Sequence, residues 1–373
     1  MSDSPRLSAF HGRIGLLPPN RVWRTYPGGQ VLDRLEGRDA PADTHFPEDW
    51  VGSTTRAINP GRESIEEGVA TVQFGDASAD LLNAVEADPV YFLGSAHLDT
   101  HGANPMILVK YLDSAVRLHL QCHPTAAFAR KFLGSASGKT EAYYILSSRD
   151  EIADPYIYLG FQRPPSAGIL KTWIEEQNID ALLTCFDRIP VKPGDSFIIP
   201  GGFPHALGEG LFLVEIQEPS DLVVRFEFER AGYVIPESAR FMNRGLDFCL
   251  DVFDFRSIPV EEVETRYRSK PVVKEILPDG SRIEGLIGSD QTECFSVDRV
   301  TVRENARLVG DRFSVNIVTD GTCTVSDDHG KTRLRQYDRF LCPHGIGSIQ
   351  ISTTSGAEIL RCFPPLPCCS PTL

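Results

Sequence analysis

Short runs in which apolar and polar residues alternate dominate the first 230 residues of this chain. Alternation at period two half-buries the pleated surface of a β-strand, and Gly, Pro, Asp and Asn between the runs mark turns. Many short strands of this kind predict a mainly β fold, built as a sandwich or barrel. The predicted strands are GVATVQF (68–74), RLHLQCH (117–123), EAYYIL (141–146), DSFIIP (195–200), LFLVEIQ (211–217) and LVVRFEFE (222–229).

Two segments depart from the strand pattern. Between residues 166 and 187 the apolar residues recur at helical spacing, with Ser166 as a helix start and Pro190 as a stop. We therefore predict a helical insertion near 166–187. A smaller helix is predicted over residues 79–87, in ADLLNAVEA.

Length and charge limit the classes of function. The 373 residues suffice for two or three domains, and the formal net charge of −14 argues against nucleic acid or an anionic membrane as a partner. No stretch approaches the ~20 apolar residues of a membrane-spanning helix. Nine scattered cysteines suit a reducing compartment, so we expect a soluble cytoplasmic protein. The oligomeric state stays open, and a monomer is compatible with the sequence.

A change in composition predicts the domain boundary. After FDFRSIP (253–259) a charged spacer precedes renewed strand-like runs at residue 294. We place the boundary near 255, which gives a larger domain over 1–254 and a smaller all-β domain over 255–373.

An internal repeat links the two predicted domains. The segments GDSFIIPGGFPHAL (194–207) and YDRFLCPHGIGSIQ (337–350) align without gaps, but Ser348 stands where the first copy has His205. Two related β units therefore share this motif, but only the first unit has the histidine. We expect no metal in the second unit. Cys342 and His344 could be read as part of a second site, although no further ligands are spaced around them.

The spacing of Gly194, Pro200, Gly202 and His205 fits the second signature of the cupin barrel. A strand ends at the proline, the glycines permit a tight turn, and the next strand directs His205 inward.

A second group of polar residues lies upstream. Gln121 and His123 share one face of a strand because residues i and i+2 point the same way, and Glu141 opens another strand eighteen residues later. Together with His205 they offer a mixed set of nitrogen and oxygen ligands for Zn²⁺ or another divalent metal.

Over most of its first 250 residues the chain resembles the type I mannose-6-phosphate isomerases, particularly the shorter bacterial form. The motifs that carry the resemblance are LVKYLDSAVRLHLQCHP, GKTEAYYIL and IPGGFPHALGEGLFLVEIQEPSDLVVRFEFER. The resemblance implies double-stranded β-helix (cupin or jelly-roll) barrels in two cupin-like domains. It implies one zinc ion per chain, bound by Gln121, His123, Glu141 and His205, with Gln121 the least secure ligand.

The resemblance also implies an aldose–ketose isomerase that interconverts mannose 6-phosphate and fructose 6-phosphate. Arg225 matches the family's catalytic arginine, while Lys139 and Lys110 match family lysines. Isomerisation passes through an enediol whose oxygens carry developing negative charge, which a metal and cationic side chains stabilise. Alternatively, Arg225 forms an ordinary ion pair with a neighbouring glutamate. Glu215 occupies a position suggested for the proton-transferring base, and Lys139 competes for that role.

Three departures from the family concern the substrate. His119 stands where members commonly have a serine thought to hold phosphate, residues 124–126 read Pro-Thr-Ala, and Trp50 is followed by VGSTT. We therefore assign Lys110, Lys139 and His119 to substrate binding and keep two alternatives. One is an isomerase of a different or non-phosphorylated sugar, and the other is a non-catalytic sugar-binding protein.

Overall fold

A computed structural model describes residues 10–367 of the protein, and it is mainly β, as the alternating runs predict. The elements up to residue 255 are β1 (Gly15–Leu16), β2 (Arg21–Val22), α1 (Gln30–Leu35), β3 (Glu48–Val51), β4 (Thr71–Phe74), β5 (Ala77–Asp80), α2 (Leu81–Ala87), α3 (Pro89–Leu93), α4 (Ser95–His101), β6 (Leu108–Asp113), β7 (Gln121–Cys122), α5 (Ala126–Phe128), β8 (Glu141–Ser148), β9 (Tyr156–Leu159), α6 (Ala167–Glu176), α7 (Ile179–Leu183), β10 (Ile189–Pro190), β11 (Ser196–Ile199), β12 (His205–Leu207), β13 (Leu211–Gln217), β14 (Val224–Arg225), β15 (Glu229–Arg230), β16 (Tyr233–Val234) and α8 (Leu246–Cys249).

The remaining elements form a strand-rich second half. They are α9 (Val260–Glu262), β17 (Val272–Ile276), β18 (Arg282–Ile287), β19 (Ser296–Val302), β20 (Asn305–Gly310), β21 (Ser314–Asp327), β22 (Gly330–Arg335), β23 (Arg339–Cys342), β24 (Gly347–Ser352) and β25 (Ala357–Phe363). Short π-helical turns cover Ala129–Leu133 and Val263–Tyr267. Short 3₁₀ turns cover Glu237–Ala239, Leu250–Val252 and His344–Ile346.

Two antiparallel sheets build what we call the first unit. One has the strand order β11-β8-β13-β6-β3-β2 and the other β10-β9-β12-β7-β14. Apolar side chains of both sheets, such as Tyr143 and Leu213 from the first and Leu159 and Leu207 from the second, belong to one buried cluster. Alternation thus directs one side of each strand into a shared core.

Strands β17 to β25 form what we call the second unit. The fourteen-residue strand β21 pairs with β25 and β23 through its first half and with β22 and β24 through its second half. This long strand therefore links two sheets that enclose a separate apolar cluster, which contains Val300, Phe340 and Ile359.

The two units share a sheet. Strand β1 pairs with β23, with Leu16 opposite Phe340, and β4 and β5 continue the same sheet beyond β1. Residues near the start of the chain thus complete a sheet whose other strands come from the second unit. The boundary near residue 255 stays a prediction.

The predicted helical insertion is two helices, α6 and α7, separated by Gln177 in the left-handed conformation (φ 51°). Ser166 caps the first helix by accepting a hydrogen bond from the Ile169 N–H. Leu170, Ile174 and Leu182 pack against the outer side of the five-stranded sheet. The smaller predicted helix is α2, capped by Asp80.

Both copies of the internal repeat adopt the same turn. Asp195 accepts a hydrogen bond from the Lys192 N–H, and Asp338 accepts the equivalent bond from Arg335, each at 2.9 Å. Gly194 has φ +87°, and its counterpart Tyr337 has φ +71°. The repeat in sequence is therefore a repeat in backbone geometry. Within residues 10–367 no helix has the length and apolarity needed to cross a membrane.

Candidate functional site

Three buried side chains converge between the two sheets of the first unit. His123 follows β7, Glu141 opens β8 and His205 opens β12, and one ligand atom from each lies within 4.8 Å of the others. Strand pairing produces the convergence, because His205 lies opposite Gln121 on one sheet and Glu141 lies opposite Ile199 on the other. In the described part of the chain this is the one group of three or more His, Cys, Asp or Glu side chains with metal-binding geometry.

Backbone carbonyls orient both histidines. The Nδ1 atom of His123 lies 2.8 Å from the Leu222 carbonyl oxygen, and that of His205 lies 2.8 Å from the Phe203 carbonyl oxygen. Each Nδ1–H donates to its carbonyl, which leaves the Nε2 lone pair free. Both Nε2 atoms face Glu141, at 3.1 Å and 3.4 Å from its carboxylate oxygens. Two neutral imidazoles and a carboxylate are suitable ligands for zinc.

The carboxylate of Glu141 also fits a metal ligand. Its Oε2 accepts a hydrogen bond from the Tyr143 hydroxyl at 3.0 Å, while its fully buried Oε1 lies 2.8 Å from the Lys139 ammonium. Burial opposes ionisation, but the charge of Lys139 and the polar contact with His123 hold the pKa of Glu141 well below its ordinary value. An ionised carboxylate, the form that binds a metal, is therefore present beside the two histidines.

The predicted fourth ligand, Gln121, lies beside the group. Its side-chain Nε2 is 3.2 Å from His205 Nε2. A half-turn of the amide about its last bond would direct Oε1 to the same place. The structure thus brings Gln121 to the three ligands.

Lys139 lies at the edge of the ligand group. Its Nζ is 2.8 Å from Glu141 Oε1 and 3.2 Å from His123 Nε2. Burial and this neighbouring ammonium lower the pKa of His123 to about 3. The imidazole is therefore neutral near pH 7, the state in which Nε2 can bind a metal.

Glu215 and Lys110 form a buried cross-strand pair in the same pocket. They lie opposite each other on β13 and β6, with Lys110 Nζ 3.2 Å from Glu215 Oε2. Burial raises the pKa of Glu215 to about 8, and the adjacent charge of Glu141 adds to the rise. Glu215 is thus a carboxyl group that can hold or release a proton near neutral pH.

Arg225 is a buried cation that has no acidic partner within residues 10–367. It is 8% exposed, and its guanidinium donates one hydrogen bond, to the Ala239 carbonyl oxygen at 2.9 Å. The predicted alternative, an ion pair with a neighbouring glutamate, is wrong within residues 10–367, because Glu227 binds Arg117 through two bonds of 2.7 Å. Burial, and then the charge of Arg24, lowers the pKa of Arg225 to about 10, which leaves it cationic at neutral pH.

His119 contributes an unsatisfied nitrogen to the pocket. The Nδ1 atom lies 3.1 Å from the Glu227 carbonyl oxygen, while the buried Nε2 has no partner among the described residues. Burial lowers the pKa of His119 to about 4, so the ring is neutral. A neutral imidazole with a free nitrogen can exchange hydrogen bonds with a ligand hydroxyl.

One pocket brings the remaining predicted residues together. It is lined by Arg24, Thr25, Tyr26, Glu48, Lys110, Leu112, Leu118, His119, Gln121, Lys139, Tyr143, Leu207, Glu215 and Arg225. The sequence motifs did not identify Arg24, Tyr26 or Glu48. Tyr143 could have been found, because it shares a strand face with Glu141.

A polar network supports the pocket from the N-terminal side. Glu48 accepts hydrogen bonds from the Tyr26 hydroxyl (2.6 Å) and the Trp50 Nε1–H (2.7 Å), and it lies 3.6 Å from Lys110 Nζ. Arg24 binds Asp221 through two bonds of 2.9 Å. Glu48 thus gives Lys110 a second acidic neighbour besides Glu215.

The second unit lacks the metal group. At the position of His205, Ser348 lies partly exposed on β24 and accepts a hydrogen bond from Arg307 at 3.2 Å. Cys342 and His344 belong to no group of three potential metal ligands in residues 10–367.

Comparison with known proteins gives matches over most of the chain. The mannose-6-phosphate isomerase ManA of Bacillus subtilis is 28% identical over 249 residues, which are 66% of this chain and 71% of that protein. YvyI of Bacillus subtilis, provisionally named a mannose-6-phosphate isomerase, is 30% identical over 250 residues, 66% of this chain and 72% of that protein. No protein-family profile matches the chain.

Solved structures share the fold. The mannose 6-phosphate isomerase of Bacillus subtilis superposes with a TM-score of 0.72 at 20% identity, over 94% of this chain and 99% of that one. A mannose 6-phosphate isomerase bound with zinc and yttrium gives 0.68 at 14% identity, over 95% and 100% of the two chains. The predicted cupin-type β fold is confirmed.

Proposed function

The chain belongs to the mannose-6-phosphate isomerase family, and we propose that it interconverts mannose 6-phosphate and fructose 6-phosphate with one zinc ion per chain. The observation that carries the proposal is one pocket lined both by Arg225, which has no acidic partner within residues 10–367, and by Glu215, a carboxyl with a raised pKa. Isomerisation needs a group that moves a proton and cations that stabilise the enediol.

The metal ligands are His123, Glu141 and His205, with Gln121 as a fourth. The orienting carbonyls and the ionised carboxylate of Glu141 support this assignment. A zinc-bound relative of the same fold points to zinc. When bound, the metal would polarise the sugar oxygens next to the reacting carbons.

Glu215 is the proposed proton carrier. Its pKa of about 8 lets it exchange a proton between C2 and C1 near neutral pH. Lys110 holds the carboxyl in place through the 3.2 Å contact, and Lys139 lies close enough to the metal ligands to contact the sugar. Arg225 stabilises the negative oxygen of the enediol, a contribution of about 3 kcal/mol for one well-placed donor.

The second candidate is an isomerase of a non-phosphorylated sugar. The neutral ring of His119, with its free Nε2 in the pocket, favours it, because a hydroxyl group suits such a partner better than a phosphate does.

Described cysteines that are free and mostly buried support a reducing, cytoplasmic location.

A substrate panel on metal-analysed protein tests the proposal. We expect one zinc ion per chain, turnover of mannose 6-phosphate well above that of mannose, and loss of activity with a chelator that added zinc reverses. Higher kcat/KM for mannose would favour the second candidate. Absence of turnover on both sugars with stoichiometric zinc would refute both.

A further inference from the structure

The second unit repeats the strand pairings that build the metal centre. In the first unit the neighbouring strands are β11, β8, β13 and β6, and in the second they are β23, β21, β25 and β19. The gapless repeat aligns Ile199 with Cys342. Since Ile199 pairs with Glu141 and Cys342 pairs with Ser314, Ser314 occupies the position of the metal ligand Glu141.

Strand register then identifies the counterpart of Glu215. In the first unit Tyr143, Glu215 and Lys110 lie side by side across three strands. In the second unit Asn316, Arg361 and Asp298 lie side by side across the corresponding strands. Arg361 therefore stands where the first unit has Glu215, and Asp298 stands where it has Lys110. The acidic and basic residues of this cross-strand pair have therefore changed places between the two units.

Among the described residues, Arg361 is buried without an ion-pair partner. It is 7% exposed, its Nε has no hydrogen-bond partner, and its one hydrogen bond within residues 10–367 is a long one of 3.5 Å to the Val309 carbonyl oxygen. Its cross-strand neighbour Asp298 is instead bound to Lys274, with Nζ 2.6 Å from Oδ1. A guanidinium has five N–H donors, and a buried one with a single weak acceptor is costly.

A second arginine lies on the same aromatic ring. The guanidinium carbons of Arg312 and Arg361 are 4.7 Å and 4.8 Å from the centroid of the Phe363 ring. Arg312 forms no ion pair in the described structure and donates to Ser296 and to the Pro364 carbonyl oxygen. Arg312 also lines a broad surface cleft, and the shared Phe363 ring places Arg361 next to it.

The acidic groups near these arginines do not cancel their charge. Asp298 and Asp311 act on both guanidiniums at longer range, and Asp298 is already paired with Lys274. Burial lowers the pKa of both arginines in spite of these carboxylates. The local charge is therefore positive in a protein whose net charge is −14.

We propose that the second unit contains an oxyanion-binding site, with Arg361 as its main ligand and Arg312 at its mouth. The ligand class is a small molecule with a phosphate or carboxylate group, since a guanidinium binds both through paired hydrogen bonds. The site lies where the fold holds Glu215 in the first unit, but its chemistry is cationic and needs no metal.

Thermal unfolding of the full-length protein tests the site. The Arg225→Gln variant serves as the background, so that anion binding in the first unit contributes little. We expect inorganic phosphate to raise Tm relative to chloride at equal ionic strength, because a ligand that binds the folded state stabilises it. Arg361→Met in that background should abolish the rise, and Arg307→Met, which alters an exposed arginine of β20, should keep it.

The other outcomes identify the class of anion that binds, or overturn the proposal. A larger rise with succinate than with phosphate would identify carboxylates as the preferred class. No rise with either anion, or a rise that survives Arg361→Met, would overturn the proposal. If Arg361→Met does not fold, crystals of the unmodified protein soaked in selenate give the answer. An anomalous peak at Arg361 supports the site, and ordered water alone there refutes it.

Discussion

Arg225 and Arg117 are both buried in the first unit, but they differ in their partners. Arg117 is neutralised by Glu227 through two short bonds, while Arg225 keeps its charge for the pocket. A buried charge without a partner is unfavourable unless a ligand or transition state offsets it. Arg225 is therefore the residue whose charge the fold leaves available for chemistry.

Replacing that charge should reduce the rate but spare the metal. We expect Arg225→Gln to lower kcat by a hundredfold or more, about 3 kcal/mol, because a donor to the enediol oxygen is lost. Zinc content should remain at the level of the unmodified protein. Steady-state kinetics with metal analysis check this.

The matched control is Arg163→Gln, which alters an exposed arginine that is paired with Asp187 and does not line the pocket. It should leave kcat unchanged. If Arg225→Gln weakens only sugar binding and there is no turnover to lose, the chain is a sugar-binding protein.

At the scale of elements, the repeated strand–turn–strand is the feature that positions His205. The turn that leads into its first strand needs a left-handed residue, Gly194 before β11 and Tyr337 before β23. Nothing lies within 4 Å of a Cβ added to Gly194, so its conformation alone sets the cost of a side chain there.

Gly194→Ala should therefore destabilise the protein by about 1–2 kcal/mol, the cost of a left-handed alanine. Gly168→Ala is the control, since Gly168 lies in α6 with open space around it and without a positive φ. It should stabilise by up to ~1 kcal/mol, because alanine favours helices. Equal effects of the two substitutions in denaturant unfolding would contradict the role of the turn.

At the scale of the whole molecule, the first and second halves of the chain are joined by more than the connecting segment. Strand β1 pairs with β23, and Arg339 binds Asp49 at 2.6 Å. The Tyr144 hydroxyl donates to Glu358 at 2.7 Å. Both contacts link side chains of the six-stranded sheet to the second unit.

This shared sheet should make unfolding cooperative. We expect one calorimetric transition for the full chain, and removal of zinc by a chelator should lower its Tm as a whole, because the metal binds only the folded state. Two separable transitions, of which the chelator shifts only one, would instead support independent domains divided near residue 255.

The sequence by itself determined the strands, the repeat and the candidate ligands, because these depend on local order. Alternation places Gln121 and His123 on one strand face, and the glycine turn precedes His205 wherever the motif occurs. The structure brings all nine predicted site residues to one region of the first unit.

Only the tertiary structure decided which charges meet. The pairing of β13 with β6 places Lys110 opposite Glu215. The pairing of β25 with β19 places Arg361 opposite Asp298, which is bound to Lys274. Within residues 10–367 Arg225 has no acidic partner, because Glu227 is bound to Arg117. Arg24 and Glu48 line the pocket although they are distant in sequence from the ligand motifs, and no motif identifies them. Burial and strand neighbours set these interactions, and neither follows from the spacing of residues along one strand.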